Sequence, residues 1–307
     1  MDLLQLTKYE RGYILRLANG QGWHLIASEG IRSLVEKLAS IMKLTKCEPN
    51  GYPKLIFIEG ESGKEENGEF IRGLDVKTLE RIPNSGWKAQ NLKVLQLWFH
   101  CSILDVVCEI GTEDNHEVEI IRMWLAVNPI YQRAQQSGGL PFHAALIERN
   151  GIGIILAGHG GAGKSTCCQR LPSSWKTLCD DETLIVRDDQ KRYFAHPFPT
   201  WSDYLWKRSE RTWNVQGYLP LSAIFFLEQG GNDEAFPIGQ GQAAILINQL
   251  ATDVCRRSWR NLDREEERMQ RKQLFENASE LAPAVPAFKL RVSLTGHFWE
   301  KIEAVLR

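Results

Sequence analysis

The pattern of apolar and polar positions changes near residue 138 of this chain. Before that point, short apolar segments at 13–17, 23–27, 54–58, 93–99 and 103–110 alternate with polar loops and predict strands. Apolar residues at three- and four-residue spacing predict one core-facing helix over 30–44. A further helix predicted over 120–136 ends at Ser137-Gly138-Gly139, which is typical of a helix stop. We therefore predict a smaller α+β domain over residues 1–137.

From residue 138 the apolar segments follow one another through tight turns. Residues 142–148 and 152–157 flank Asn150-Gly151, and this arrangement predicts a β-hairpin. Further strands are predicted at 175–179, 182–186, 191–195, 221–227 and 288–292, and helices at 240–250, 254–277 and 297–306. The mixture predicts an α/β domain over residues 138–307.

Composition and charge exclude several classes of protein. The chain has 307 residues, of which 43% are hydrophobic, so it can bury a substantial core. Its 37 Lys and Arg nearly cancel its 38 Asp and Glu, which argues against nucleic acid or an anionic membrane as the main partner. No apolar run reaches the ~20 residues that cross a bilayer, and the N-terminus does not resemble a secretion signal. We expect a cytoplasmic protein.

The strongest chemical signal is the segment Gly158-His159-Gly160-Gly161-Ala162-Gly163-Lys164-Ser165-Thr166. It fills every position of the phosphate-loop pattern G-x-x-x-x-G-K-[ST], and it stands between a predicted strand and a predicted helix. Its backbone N–H groups would face phosphate oxygens, Lys164 would reach the β- and γ-phosphates, and the Ser165 hydroxyl would bind Mg²⁺. The predicted nucleotide-binding residues are Gly158, Gly160, Gly161, Ala162, Gly163, Lys164, Ser165 and Thr166.

An aspartate pair, Asp180-Asp181, follows the loop after only one short predicted helix and one short predicted strand. If the strand 176–179 lies beside the loop's own strand, both carboxylates emerge at the phosphate end. One can hold Mg²⁺, and the other can accept the proton of an attacking hydroxyl. A carboxylate base favours a kinase over an NTP-hydrolysing switch, because a switch needs a group that orients water.

His143 stands at the start of the strand that precedes the loop strand. A histidine in an apolar strand is most often a core residue. Antiparallel pairing with the loop strand would instead bring it to the phosphate end. There its imidazole could hydrogen-bond to a catalytic aspartate or donate to the γ-phosphate.

Two segments, one rich in tryptophan and basic residues and one rich in arginine, admit more than one interpretation. The stretch 193–218 could form a surface for an extended polypeptide, or its aromatic rings could pack under a long loop with arginine stems over them. The run 256–260 could approach phosphates or form a solvated face. The residues concerned are Trp201, Trp206, Trp213, Lys207, Arg208 and Arg211 in the first group, and Arg256, Arg257 and Arg260 in the second.

Three segments together resemble the catalytic domain of the HPr kinase/phosphorylase family. They are Leu140-Pro141-Phe142-His143-Ala144-Ala145, the loop itself, and Leu178-Cys179-Asp180-Asp181-Glu182-Thr183-Leu184. The similarity is greatest to HPr-kinase-related proteins of peptide-biosynthesis cassettes, including the SynChlorMet type and the lasso-peptide kinases. It covers residues 140–186, with weaker similarity at 219–227 and 285–307. The signature segment that follows the nucleotide site in true HPr kinase/phosphorylases is absent, which argues against phosphorylase activity and against HPr as the substrate.

The resemblance implies a phosphoenolpyruvate-carboxykinase-like α/β core and phosphorylation of a serine hydroxyl with ATP and Mg²⁺. It implies an active centre of His143, Lys164, Ser165, Asp180 and Asp181, with Asp181 as the base and with Asp180 and Ser165 at the metal. It implies a peptide or small-protein substrate and radical-SAM or other cassette enzymes as partners, and it leaves a homo-oligomer open. Two alternatives stay open, namely a kinase for a free hydroxylated small molecule such as serine and a non-catalytic ATP-binding scaffold.

Overall fold

A computed structural model describes residues 11–48, 51–60, 65–66, 69–70, 86–111, 115–259 and 262–306. Two large β-sheets with helices between and around them make up this part of the chain. The mixed α/β architecture predicted from the sequence is confirmed. None of the helices in these ranges is both long enough and apolar enough to cross a bilayer.

The first sheet has seven strands: β1 (Gly12–Arg16), β2 (Gly22–Ala27), β3 (Thr45–Cys47), β4 (Lys54–Gly60), β7 (Trp87–Asn91), β8 (Leu95–His100) and β9 (Val106–Gly111). Their order across the sheet is β3-β1-β2-β4-β9-β8-β7. The three central strands, β2, β4 and β9, run parallel, and the outer pairings are antiparallel. Two short strands, β5 (Glu65–Glu66) and β6 (Glu69–Phe70), pair separately. Helix α1 (Arg32–Ile41) follows a 3₁₀ turn at Glu29–Ile31, close to the predicted 30–44.

Strands β3 and β7 were not predicted from the sequence. Both lie at edges of the first sheet. Edge strands carry more polar and charged residues than central ones, because one side of the backbone faces away from the sheet. The sequence Trp-Lys-Ala-Gln-Asn of β7 therefore lacks the apolar run from which most of the other strands were predicted.

The helix predicted over 120–136 is two helices, α2 (His116–Ala126) and α3 (Asn128–Gln136). The side chain of Asn115 accepts hydrogen bonds from the backbone N–H groups of the first turn of α2, which sets the start of that helix. Pro129 lies in the first turn of α3, where its missing N–H costs nothing, but it could not continue a helix from α2.

The second sheet consists of β10 (Leu140–Arg149), β11 (Ile152–Ala157), β12 (Lys176–Cys179), β13 (Glu182–Arg187), β14 (Tyr193–Phe198), β15 (Leu219–Gln229), β16 (Glu234–Pro237) and β17 (Ala287–Val292). It is built on two long strands, β10 and β15. Strand β10 pairs antiparallel with β11, β12 and β13, and β15 pairs parallel with β11 and β17. Strands β13 and β14 bridge from β10 back to β15.

Five helices accompany this sheet: α4 (Lys164–Arg170), α5 (Trp201–Leu205), α6 (Gln240–Cys255), α7 (Arg264–Ala284) and α8 (Phe298–Leu306). The predicted bounds 254–277 were wrong for α7. Helix α6 continues to Cys255, and a capping box at Asp263 and Glu266 starts α7 ten residues later than predicted. The charged, helix-compatible composition of this region concealed the break between the two helices.

The main apolar core is continuous across the predicted domain boundary. It includes Phe57 and Leu97 of the first sheet, Ile130 of α3, and Phe142 and Leu146 of β10. Alternate residues of β10 and β11 face a second core that also contains residues of α4 and α8. The second sheet is therefore covered on both faces, and the division into domains 1–137 and 138–307 stays a prediction.

Candidate active site

The phosphate loop connects β11 to α4. Gly161 and Gly163 have φ values of 81° and 101°, in the left-handed region that strains other residues. A Cβ atom built on Gly160, Gly161 or Gly163 would meet no atom within 4 Å, whereas one on Gly158 would lie 2.7 Å from the Cβ of Ala162. Gly158 is therefore required by packing and two of the later glycines by backbone conformation. The loop is open on the side where those later glycines lack side chains.

Lys164 places its ammonium group inside this loop. Its Nζ donates to the backbone oxygens of Gly158 at 2.7 Å and His159 at 3.2 Å, and the residue is 6% exposed. Burial lowers the pKa of Lys164, and the negative charges of Asp181 and Asp180 partly oppose that effect. The two aspartates are thus close enough to act on the lysine.

The antiparallel pairing expected for His143 is present. Ala144 of β10 stands opposite Ala157 of β11, so His143 arrives beside the first residue of the loop. Its Nε2 lies 2.9 Å from Oδ1 of Asp181. Burial alone would raise the pKa of Asp181, but the hydrogen bond and charge of His143 and the charges of Lys164 and Arg257 outweigh it and lower the pKa. Asp181 is therefore held ionised.

The predicted neighbour of β12 was wrong. Strand β12 pairs with β10, which lies between it and the loop strand β11. Because β10 is antiparallel to both, β11 and β12 still run in the same direction, and the aspartates emerge at the end of the sheet where the loop lies. Asp180 and Asp181 occupy a bend between β12 and β13, where the strict alternation of a strand no longer applies, so the charges of both can act on Lys164.

Asp180 and Ser165 are available as metal ligands. The hydroxyl of the buried Thr200 donates to one oxygen of Asp180 at 2.8 Å, and Ser165 is exposed at the start of α4. Across the described ranges, no group of three or more His, Cys, Asp or Glu side chains could hold a metal alone. Magnesium in nucleotide sites needs only one or two protein ligands, because phosphate oxygens and water complete its shell.

A comparison with protein families decides where this chain belongs. The model of the family described as SynChlorMet cassette protein ScmC matches residues 106–307, well over half of the chain. The chain belongs to the ScmC family. The similarity to the SynChlorMet type is therefore confirmed, and it begins at β9, earlier than residue 140. No curated protein matches the chain.

The site of this ScmC-family protein includes Glu182 and Asp203, which the sequence did not single out, and Arg257, for which the sequence left two interpretations open. Glu182 is 3% exposed, and burial, followed by the charge of Asp181, raises its pKa to about 7. Arg257, from the run that could have been a solvated face, lies 3.6 Å from Glu182. Burial and the charge of Asp180 also raise the pKa of Asp203. For Glu182 the available signal was an acidic residue directly after the aspartate pair and before the apolar run 184–186.

In this ScmC-family protein the tryptophan-rich stretch is mainly a packing element. Trp201 and Trp213 are buried, and Arg211 lies over the Trp213 ring at 5.6 Å while donating to backbone oxygens of β12. The packing interpretation is confirmed for these two tryptophans. Trp206, by contrast, is 61% exposed. It follows the last residue of α5, and Thr200 precedes the first residue of the same helix.

Proposed function

We propose that this ScmC-family protein is an ATP-dependent kinase with an HPr-kinase-like catalytic domain. It transfers the γ-phosphoryl group to a serine-type hydroxyl on a peptide or small protein of its cassette. The observation that carries the proposal is the Asp181 carboxylate, held 2.9 Å from His143 and acting on the buried lysine of an open phosphate loop. A loop for binding alone does not require a carboxylate oriented in this way.

The residues present fit ATP and Mg²⁺. The open side of the loop can admit phosphates, and the Lys164 ammonium supplies positive charge there. The Ser165 hydroxyl and the Asp180 carboxylate would hold Mg²⁺. When bound, the metal neutralises negative charge on the phosphate oxygens.

Asp181 would act as the base of the transfer. The acceptor hydroxyl donates a hydrogen bond to the Asp181 carboxylate, its oxygen forms a bond to the γ-phosphorus, and its proton passes to Asp181. The bond between the γ-phosphorus and the bridging oxygen breaks, and ADP leaves. His143 orients the carboxylate through the hydrogen bond to Oδ1, and Lys164 stabilises the charge that develops on the transferred group.

The exposure of the site supports an acceptor on a larger molecule. The side chains of His143 and Asp181 are 25% and 27% exposed, so the base opens to solvent. A hydroxyl that projects from a peptide can approach such a base. The family description, a cassette protein, agrees with a peptide acceptor made in the same cassette.

Phosphate incorporation from labelled ATP tests the proposal. Asp181→Asn should lower kcat by about 10²- to 10⁴-fold on a precursor peptide of the cassette, because it removes the base but keeps the side-chain shape. ATP affinity should change little. Asp189→Asn, the same change on an exposed turn, is the matched control and should behave as wild type.

Three other outcomes of this experiment would lead to different conclusions. Equal incorporation by wild type and Asp181→Asn would remove Asp181 from the mechanism. Labelling of free serine but of no peptide would indicate a small-molecule kinase. Tight ATP binding without phosphorylation of any acceptor would indicate a scaffold and refute the kinase proposal.

A further inference from the structure

Glu182 is a buried carboxyl group in direct succession to the proposed base. It is the first residue of β13, follows Asp181 in the chain and pairs across the strands with His143. Only 3% of the residue is exposed. A carboxylate in such surroundings needs partners, because an uncompensated buried charge is costly.

Three separate chain segments supply those partners. Trp124 of α2 donates its Nε1–H to Oε1 at 3.0 Å, and the Tyr131 hydroxyl of α3 donates to Oε2 at 2.9 Å. Nη1 of Arg257, just after α6, lies 3.6 Å from Oε1. Glu182 therefore joins α2, α3 and the end of α6 at one point.

Arg257 contacts two members of this group at once. Its guanidinium lies over the Trp124 ring at 3.8 Å from the ring centre, in addition to its ion pair with Glu182. Its side chain is 44% exposed, so without these contacts it would be free to adopt other conformations. Its positive charge also acts on Asp181. Arg257 therefore contributes to the lowered pKa of the proposed base.

We propose that Glu182 is a positioning residue of the catalytic centre: its buried carboxylate holds the Arg257 guanidinium against Trp124, and it ties α2 and α3 to the site. The proposal rests on the kinase activity proposed above. Glu182 acts through Arg257 and has no contact with the reacting groups. Because Glu182 acts on the site through Arg257, replacing either residue should lower kcat by a similar factor.

The placement of Arg257 can be measured without any activity. In the full-length protein labelled with ¹⁵N-arginine, the Arg257 side-chain resonance should carry a ring-current shift from Trp124, and Arg257→Gln assigns it. Glu182→Gln keeps the side-chain size but removes the ion pair, so this shift should be lost. Glu148→Gln, at a partly buried carboxylate that pairs with Lys176, is the matched control and should leave the shift unchanged.

A double-mutant cycle tests the effect on catalysis. At pH 8, Glu182→Gln and Arg257→Gln should each lower kcat by about tenfold, the range expected for one charged contact, with KM for ATP within about twofold. The double variant should be no slower than Arg257→Gln alone, because both changes remove the same interaction. Multiplying effects would instead indicate that Glu182 only supports the fold.

The two proposals fail in different ways. A wild-type protein that phosphorylates no acceptor refutes the kinase proposal, while the resonance of Arg257 still tests its placement. An unchanged Arg257 resonance in Glu182→Gln overturns the positioning role. If Glu182→Gln does not fold, the kcat of Arg257→Gln alone tests the proposal, because replacing a half-exposed side chain leaves the fold intact. A wild-type kcat in Arg257→Gln overturns the proposal.

Discussion

The packing around His196, between the loop after β1 and the second sheet, can be tested quantitatively, because the ring is fully buried and its two nitrogens have different partners. Nδ1 lies 2.8 Å from the backbone oxygen of Val215, and Nε2 accepts from the backbone N–H of Ala18 at 3.1 Å. A carbonyl can only accept and an amide N–H can only donate, so the ring is neutral with its proton on Nδ1. His196 thereby connects the loop after β1 to the second sheet.

Burial lowers the pKa of His196 from 6.5 to about 4, although the bond to Val215 opposes the shift. Because the folded-state pKa lies below the unfolded one, the unfolded chain binds a proton first as the pH falls. Stability is therefore lost between about pH 6.5 and pH 4. One pKa unit corresponds to ~1.4 kcal/mol, so the full loss is about 3 kcal/mol, of which about 2 kcal/mol is reached at pH 5.

Urea unfolding at pH 7.5, 6.0 and 5.0 measures this loss. His196→Gln lowers stability at every pH, but between pH 7.5 and 5.0 it should lose about 2 kcal/mol less than wild type. His297→Gln, at a side chain that is 63% exposed, is the control for replacing a histidine outside the core. If His196→Gln and wild type show the same pH dependence, the buried neutral ring is refuted.

Two further predictions compare matched pairs. Gly163→Ala forces a side chain into a left-handed conformation and should cost about 1–2 kcal/mol of folding stability and lower ATP affinity, whereas Gly160→Ala, with open space and no positive φ, should do neither. Thermal unfolding measures the stability and calorimetric titration with ATP measures the affinity, and equal values for the two variants would contradict the loop geometry. Trp201→Ala should destabilise the fold by about 3–5 kcal/mol, because it removes a buried ring, and Trp206→Ala by less than about 0.5 kcal/mol. Thermal unfolding measures both, and similar losses of folding stability in the two variants would contradict the packing of this stretch.

Much of the candidate site could be predicted because its signals are local. The phosphate loop is one continuous pattern whose glycines answer backbone requirements within the loop itself. The position of His143 beside the loop was foreseeable from hairpin geometry, since Asn150-Gly151 makes β10 and β11 antiparallel neighbours. Its contact with Asp181 depends in addition on the pairing of β10 with β13. Helix and strand identity likewise followed from apolar periodicity over most of the chain.

Other features depend on which distant segments come together, and periodicity carries no information on that. The pairing of β12 with β10 instead of β11 is a choice between two apolar strands of similar character. The contact of Thr200 with Asp180 links segments whose separation in sequence shows no pattern.

The clearest case is Glu182, which from its residue type alone would be an ordinary charged side chain. Its partners Trp124, Tyr131 and Arg257 lie on α2, on α3 and after α6, and only the packing of those helices against β13 brings them within hydrogen-bonding or ion-pair distance. The chain's local patterns were therefore sufficient to predict the loop and to place His143 beside it. The surroundings that tune its charged groups came from tertiary packing, because burial and long-range contacts exist only in the folded chain.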